Sequence, residues 1–223
     1  DLSARTLTGD EARRAIAVEI DALPSKSAEL FRRILRKNLR AGFSESTINK
    51  ACKGLVKEFP YMRCSLPKDT DLSKWPWERG VFVQEKADGM FANVDNEESD
   101  IVSIRSRQGT EFPMDKFKAV ADEIRTTLTA GRQYHGEFLV MRDGVVLPRQ
   151  EGNGIMNSVI NGGDFAPNEW PIYKIWDAVP LECVVPKGKC EVPYSERFGA
   201  IELDFAGSIA VALKHIDVIP TKI

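Results

Sequence analysis

The sequence predicts an α+β protein in two parts, a small all-helical region followed by a mixed, mainly antiparallel domain. Three observations carry that expectation. Apolar residues recur at helical spacing through the first part of the chain, the period changes to two at Val81, and a Pro- and Trp-containing stretch with no sustained period lies between them. A boundary near residue 59 is expected, giving regions 1–58 and 59–223.

In the first region Thr8 and Glu11 have capping-box spacing, and Ala12, Ile16, Ile20 and Leu23 form one helical face until Pro24 stops it. Ser27 is placed to cap a second helix with Leu30, Ile34 and Leu35 on its apolar face and Gly42 at its end. Ser44 opens a short third helix through Ile48, ending near Gly54. Residues 60–80, with Pro67 and the Trp75-Pro76-Trp77 run, read as a connector.

Alternation then marks strands over 81–86, 91–94 and 101–107. Pro113 introduces a helix with Phe117, Val120, Ala121, Ile124 and Leu128 on one face and Gly131 at its end. Strands resume at 134–141, turn at Asp143-Gly144, and continue over 145–147. Residues 172–179 and 209–213 are further strand candidates, with a helix around 195–203 between them.

Composition narrows the function classes. A chain of 223 residues with 43% hydrophobic content can bury roughly 70% of its unfolded surface, enough for one full domain and a smaller one. No apolar run approaches the ~20 residues of a bilayer span, and the N-terminus lacks signal-peptide character. No membrane partner is therefore expected, and the cytoplasm is the default compartment. Cys52, Cys64, Cys183 and Cys190 lack C-x-x-C spacing, so structural thiols are favoured over a disulfide framework or zinc. The net charge of -2 hides a basic segment: nine Lys/Arg against two acids from Lys26 to Lys57. Such an excess points to a polyanionic partner. The chain begins with Asp1 rather than Met, as a fragment or trimmed chain would.

Residues 86–89, Lys-Ala-Asp-Gly, are the centre of the chemistry. Alternation puts Lys86 and Asp88 on one side of a strand, with Gly89 allowing a turn or close backbone approach. A lysine there can be a nucleophile if desolvation or nearby cations activate it, and the bland alternative is a surface lysine before a turn. Residues 101–109 follow with Arg105, Ser106 and Arg107, then 134–139 (Tyr-His-Gly-Glu-Phe-Leu), then 173–177 with Trp176-Asp177.

This ordered series resembles the ATP-dependent DNA ligases of the bacteriophage type, within the covalent nucleotidyltransferases. Residues 30–43 look like the basic segment of the family's helical DNA-binding region, and 149–157 are similar to an Arg/Asn-Gly segment of the phage enzymes. The resemblance covers nearly the whole chain. It implies a helical DNA-binding region at 1–58 and an adenylation (nucleotidyltransferase) domain at 59–223 that stops before its C-terminal elements.

The roles it implies fall on named residues. Lys86 would attack the α-phosphorus of ATP to give lysyl-AMP. Asp88 and Gly89 would shape the nucleotide pocket, and Gln84 would read the adenine edge, against the alternative of a solvated strand glutamine. Arg107 would lie near the AMP ribose or nick phosphate, with Arg105 beside it; two exposed arginines at a strand end are the alternative. Glu137, a carboxylate in an apolar run and costly there without a partner, would contact the AMP ribose or a metal. Trp176 would stack on adenine unless it is a buried core tryptophan. Arg32, Arg33, Arg36, Lys37 and Arg40 would meet DNA phosphates, as would Arg149, although a solvated basic helix face is the ordinary reading. His135 and His215 are read as structural.

ATP, Mg2+ and nicked duplex DNA are the implied cofactors and partners, and a monomer is expected. Nick sealing is the implied function. An RNA ligase or capping-type nucleotidyltransferase, or a non-catalytic nucleic-acid-binding fragment, are the alternatives. Two departures matter. Phe91 stands where the family commonly has arginine. The Glu-Gly-aliphatic-aliphatic-Lys stretch and Lys-x-Lys pair expected after 209–216 are absent before Ile223. A chain ending at Ile223 is therefore expected to bind DNA weakly without sealing it.

Overall fold

A computed structural model describes residues 7–36, 42, 45–56, 59–60, 66–186, 188–208 and 213–222. The chain divides into two compact units, Asp1–Lys57 and Glu58–Ile223.

The first unit contains α1 (Gly9–Ala22), α2 (Ser25–Leu35) and α3 (Glu45–Ala51). Thr8 occupies the N-cap of α1, yet its side chain makes no capping hydrogen bond, so the expected capping box does not form. Helix α2 begins after Pro24 rather than at Ser27, because the Pro24 carbonyl already accepts from the Ala28 N–H at 2.8 Å and closes the first turn. It ends at Leu35, well before Gly42. Ala12 and Ala28 are the buried residues of α1 and α2, whereas Leu30 and Ile34 are each 52% exposed. The expected apolar face of α2 is thus an exposed one. Ser44 lies outside the described residues.

The second unit opens with three short 3-10 turns at Pro67–Asp69, Leu72–Lys74 and Trp77–Arg79, which account for the absence of a period in the connector. Its strands are β1 (Val83–Gln84), β2 (Met90–Asn96), β3 (Val102–Ser106), β4 (Arg132–Arg142), β5 (Val145–Val146), β6 (Glu169–Pro180), β7 (Ile216–Val218) and β8 (Thr221–Lys222). They form a main sheet of order β3-β2-β4-β6-β7, with β5 paired to β4, and a separate β1-β8 ribbon. All pairings are antiparallel except β6 with β7. The mainly antiparallel α+β expectation holds.

One face of this sheet carries the core. Ala92, Val94, Phe138, Tyr173 and Ile175 cluster with Val120, Ala121 and Ile124 of α4 (Lys118–Thr127) and with Phe198 and Ile201 of α6 (Tyr194–Gly207). Each Val, Ile or Phe side chain among them contributes about 1.5–3 kcal/mol by leaving water. Helix α4 starts five residues after Pro113, which instead sits in a turn closed by the Lys116 N–H donating to the Pro113 carbonyl at 2.9 Å. Asp143 (φ 51°) and Gly144 (φ 83°) make the tight β4-β5 turn, the left-handed pair that an Asp-Gly sequence suits. Helix α5 (Arg149–Ile160) carries no helical signal in the sequence, since Gly152 and Gly154 disfavour it. Burial of Gly152, Met156 and Val159 outweighs that propensity. Of the expected strand at 209–213, residues 209–212 lie outside the described residues, and the last strand beside β6 is β7 instead. Among the described residues no helix is long and apolar enough to cross a membrane.

The register of the central strands depends on a bulge in β6, where Trp176 lies between the partners of His135 and Gly136 of β4. A Cβ on Gly136 would lie 2.5 Å from both the Lys174 carbonyl oxygen and the Tyr173 ring, so only glycine admits this approach. The Tyr173 hydroxyl, fully buried, shares its one proton between the carbonyls of Ala92 at 3.0 Å and Tyr134 at 2.9 Å and so ties β6 to β2 and β4. Tyr173→Phe removes the donor and leaves these acceptors in an apolar setting; the expected cost is about 1–3 kcal/mol. Urea unfolding measures it, and an unchanged midpoint would show that the hydroxyl does not hold the strands.

Candidate functional site

The site is built on the face of the sheet opposite the core. Directly paired residues on neighbouring strands point to the same side. Phe91 pairs with Glu137, Glu137 with Lys174, and Lys174 with Asp217, giving one row across β2, β4, β6 and β7. Arg107 extends this row, one residue beyond β3, with its guanidinium carbon 5.1 Å from the Phe91 ring centroid. Trp176, the residue between the two registers of β6 at the bulge, stands 5.8 Å from the Phe91 ring and is half-buried. Its carbonyl accepts from the Tyr194 hydroxyl at 2.7 Å.

Lys86 and Asp88 do not sit on a strand. Strand β1 ends at Gln84, and residues 85–88 run as irregular chain to β2, with Lys86 and Asp88 exposed. The β1-β8 ribbon takes the strand pairing that a longer β1 would have used: Gln84 pairs with Thr221, and its amide donates to the Thr221 hydroxyl at 3.1 Å. Gly89 anchors the other end of the segment. A Cβ there would lie 2.1 Å from the Phe138 carbonyl oxygen, so the lysine-bearing loop lies directly on β4 because residue 89 has no side chain.

Helix α5 fixes the same loop from a third direction. Arg149 in its first turn meets Asp88 at 3.0 Å, and the Asn153 amide donates to the Gly89 carbonyl at 3.3 Å. The Arg149–Asp88 pair is exposed and contributes little to stability by itself. Its value is positional.

Glu137 is the electrostatic centre of the arrangement. Burial pushes its carboxyl above the usual carboxylate range, against the opposing pull of Lys86, a Gly89 N–H, Arg107 and Arg149. Four groups drawn from three segments therefore act on one half-buried carboxylate. Such a carboxylate can accept hydroxyl donors or share a cation. Among the described residues no group of three or more His, Cys, Asp or Glu is placed to hold a metal by protein ligands alone.

Other candidates separate from this centre. Arg105 is already shared between Asp95 at 2.6 Å and Glu111 at 3.4 Å, and its guanidinium lies over Phe59. On α2, Arg32 and Arg36 are exposed one turn apart, while Arg33 pairs with Glu29 at 2.9 Å. Arg32 and Arg33 also lie in the last turn of α2, where cations complement the helix dipole. Lys37 and Arg40 lie outside the described residues. Sequence reasoning missed Asn153, Lys174 and Asp217. Alternation along β6 puts Lys174 on the Trp176 side, so that residue was within reach; Asn153 and Asp217 depend on α5 and β7, whose positions no local pattern gives.

No protein-family model matches the chain. Its sequence is similar to the DNA ligase of Enterobacteria phage T4, 28% identical over 252 aligned residues that cover 95% of this chain and 50% of the relative. The DNA ligase of Enterobacteria phage T6 matches to the same extent. The chain spans about half the length of these curated relatives. In three dimensions it shares the fold of the solved structure named Pmar-Lig_Pre, with a TM-score of 0.62 at 24% identity, covering 98% of this chain and 49% of that one. The structure named Pmar-Lig_PreS3 gives a TM-score of 0.58 at 22% identity over the same shares.

His135 adjoins this site in sequence but faces a buried polar row, with Nε2 3.0 Å from the Gln133 amide oxygen. Burial lowers its pKa to about 4. A neutral imidazole is thus favoured in the fold, and the unfolded chain binds more protons between pH 6.5 and about 4. His135 therefore costs stability as pH falls through that window and costs none above it. Between pH 7 and pH 5 the expected loss is about 2 kcal/mol. His135→Gln should flatten this dependence in urea titrations, and an equally steep variant would assign the effect to other groups.

Proposed function

We propose, for a chain that resembles phage DNA ligases across 95% of its length, that the second unit carries the nucleotide-transfer centre of an ATP-dependent DNA ligase and the first unit its DNA-binding region. The observation that carries this reading is the convergence of Lys86, Gly89, Arg107 and Arg149 on the half-buried Glu137. A lysine nucleophile needs its target phosphorus held in line and the developing charge compensated. The cations gathered around Glu137 support the second of these.

In this reading the Lys86 amine attacks the α-phosphorus of ATP, a P–N bond forms, and the bond to the pyrophosphate oxygen breaks. Arg107 and Arg149 are placed to compensate phosphate charge, Arg107 with its guanidinium stacked on Phe91. Glu137 accepts from the ribose hydroxyls or takes part in cation binding. Phe91 and Trp176 supply an aromatic wall for the base, and Gln84, held by Thr221, presents its amide to the purine edge. Mg2+ would be held by Glu137 together with the nucleotide phosphates, as this ion commonly is by one or two carboxylates and its substrate, and would neutralise charge on them. AMP then passes to the 5′-phosphate of a nick, and the 3′-hydroxyl displaces it to close the strand.

The relatives are named DNA ligases, which favours DNA over RNA or cap substrates for this chain. Arg32 and Arg36, exposed on α2, would meet the duplex through phosphates and confer no base preference.

Two experiments test the reading. Lys86→Ala should abolish covalent labelling by α-labelled ATP on a denaturing gel while leaving the unfolding midpoint unchanged; label persisting on the variant would exclude Lys86 as the acceptor. Replacing Arg32, Arg33 and Arg36 together should lower the logarithmic salt slope of duplex binding by roughly one for each phosphate that the variant no longer neutralises. An unaltered slope would turn this helix away from DNA.

A further inference from the structure

Cys183 and Cys190 lie seven positions apart in sequence, flanking the turn that leads from β6 to α6. That turn folds back tightly. The Val184 N–H donates to the Leu181 carbonyl at 3.0 Å, the Val185 N–H to the Cys183 carbonyl at 3.0 Å, and the Gly188 N–H to the Val185 carbonyl at 2.8 Å. A Cβ on Gly188 would stand 2.2 Å from the Cys183 carbonyl oxygen, so the chain two residues before Cys190 lies against Cys183 itself. Both cysteines are free thiols and half-buried, and Cys190 lies close enough to act on the Cys183 thiol.

The flanks of the turn are fastened. Arg197 of α6 pairs with Asp177 of β6 through Nε at 2.8 Å and Nη2 at 2.9 Å, and its Nη1 donates to the Val192 carbonyl. The Tyr194 hydroxyl, from the first turn of α6, donates to the Trp176 carbonyl of β6 at 2.7 Å. A turn whose flanks are tied to each other, and whose chain just before Cys190 lies against Cys183, meets the main requirement for a bridge, which is backbone geometry that brings the two residues together.

We infer that Cys183 and Cys190 are a modification site, a reversible dithiol–disulfide pair closing the turn between β6 and α6 when the chain meets a small-molecule disulfide oxidant. One cysteine sulfur attacks the S–S bond of the oxidant, forming a mixed disulfide and releasing one thiol. The second cysteine sulfur attacks the protein-bound sulfur, forming the Cys183–Cys190 bond and releasing the second thiol. Two cysteine sulfurs are oxidised, the two oxidant sulfurs are reduced, and the two cysteine protons leave with the released thiols. Burial and the adjacent Cys190 raise the pKa of Cys183, which keeps its thiol protonated at rest. This inference needs no nucleotide and stands apart from the ligase reading.

The test uses the full chain, reduced, desalted and incubated with oxidised glutathione in native buffer and, separately, in urea. Remaining thiols are blocked with N-ethylmaleimide and peptides are mapped by mass. The native sample should show a peptide pair joining Cys183 to Cys190, with a loss of two hydrogens that dithiothreitol reverses, and the bridge should be much reduced in urea. Cys190→Ser should lose the bridge and retain a glutathione adduct on Cys183. Native chain with both thiols unmodified, carrying glutathione adducts at these positions without a bridge, or bridging no better than in urea would overturn the inference.

Discussion

The approach of Tyr173 to Gly136 is the constraint on which the second unit depends. It fixes three strands at once, because the ring occupies the space of an absent side chain on β4 while the hydroxyl reaches carbonyls of β2 and β4. The bulge opposite Gly136 changes the phase of β6, so that Asp177 follows Trp176 on the side of Glu137 and Lys174. Without that change of phase, strict alternation would send either Trp176 or Asp177 into the core. The bulge lets Trp176 stand near Phe91 while Asp177 stays buried with Arg197.

The two faces of the sheet consequently obey different physics. The core face is a set of apolar and aromatic contacts, with Phe138 and Tyr173 at 4.7 Å between ring centroids. The other face holds charge in rows. Asp95 joins Arg105 to Gln133, Gln133 meets His135, and one register step away Glu137 faces cations from three segments. Asn93 and the His135 Nδ1 atom are buried without a hydrogen-bond partner in this polar row. Buried polar atoms of this kind commonly bind ordered water.

Much of the fold was legible in the chain. The change of period at Val81, the Asp143-Gly144 turn and the apolar face from Phe117 to Leu128 reflect local rules of alternation, turn chemistry and helical spacing. Element ends were less legible. Pro113 marked a turn rather than a helix start, and Ser27 lost the N-cap of α2 to Pro24, because several residues within one turn can satisfy the same signal. Helix α5 was invisible: its glycines argue against helix locally, and only packing on β4 favours it.

For the candidate site, the sequence by itself determined the residue types and their order: a lysine before an Asp-Gly pair, arginines after the next strand, a glutamate in an apolar run and a tryptophan on a later strand. Residue type and order are local properties of the chain, readable whatever the surroundings. Tertiary structure alone decided which of them meet. It left Lys86 on an irregular loop pressed onto β4 at Gly89, tied Gln84 to Thr221, gave Arg105 to Asp95 and Glu111, and brought in Asn153 and Lys174. Strand register and helix docking are long-range quantities, set by the energy of packing a whole face. No short run of sequence encodes them.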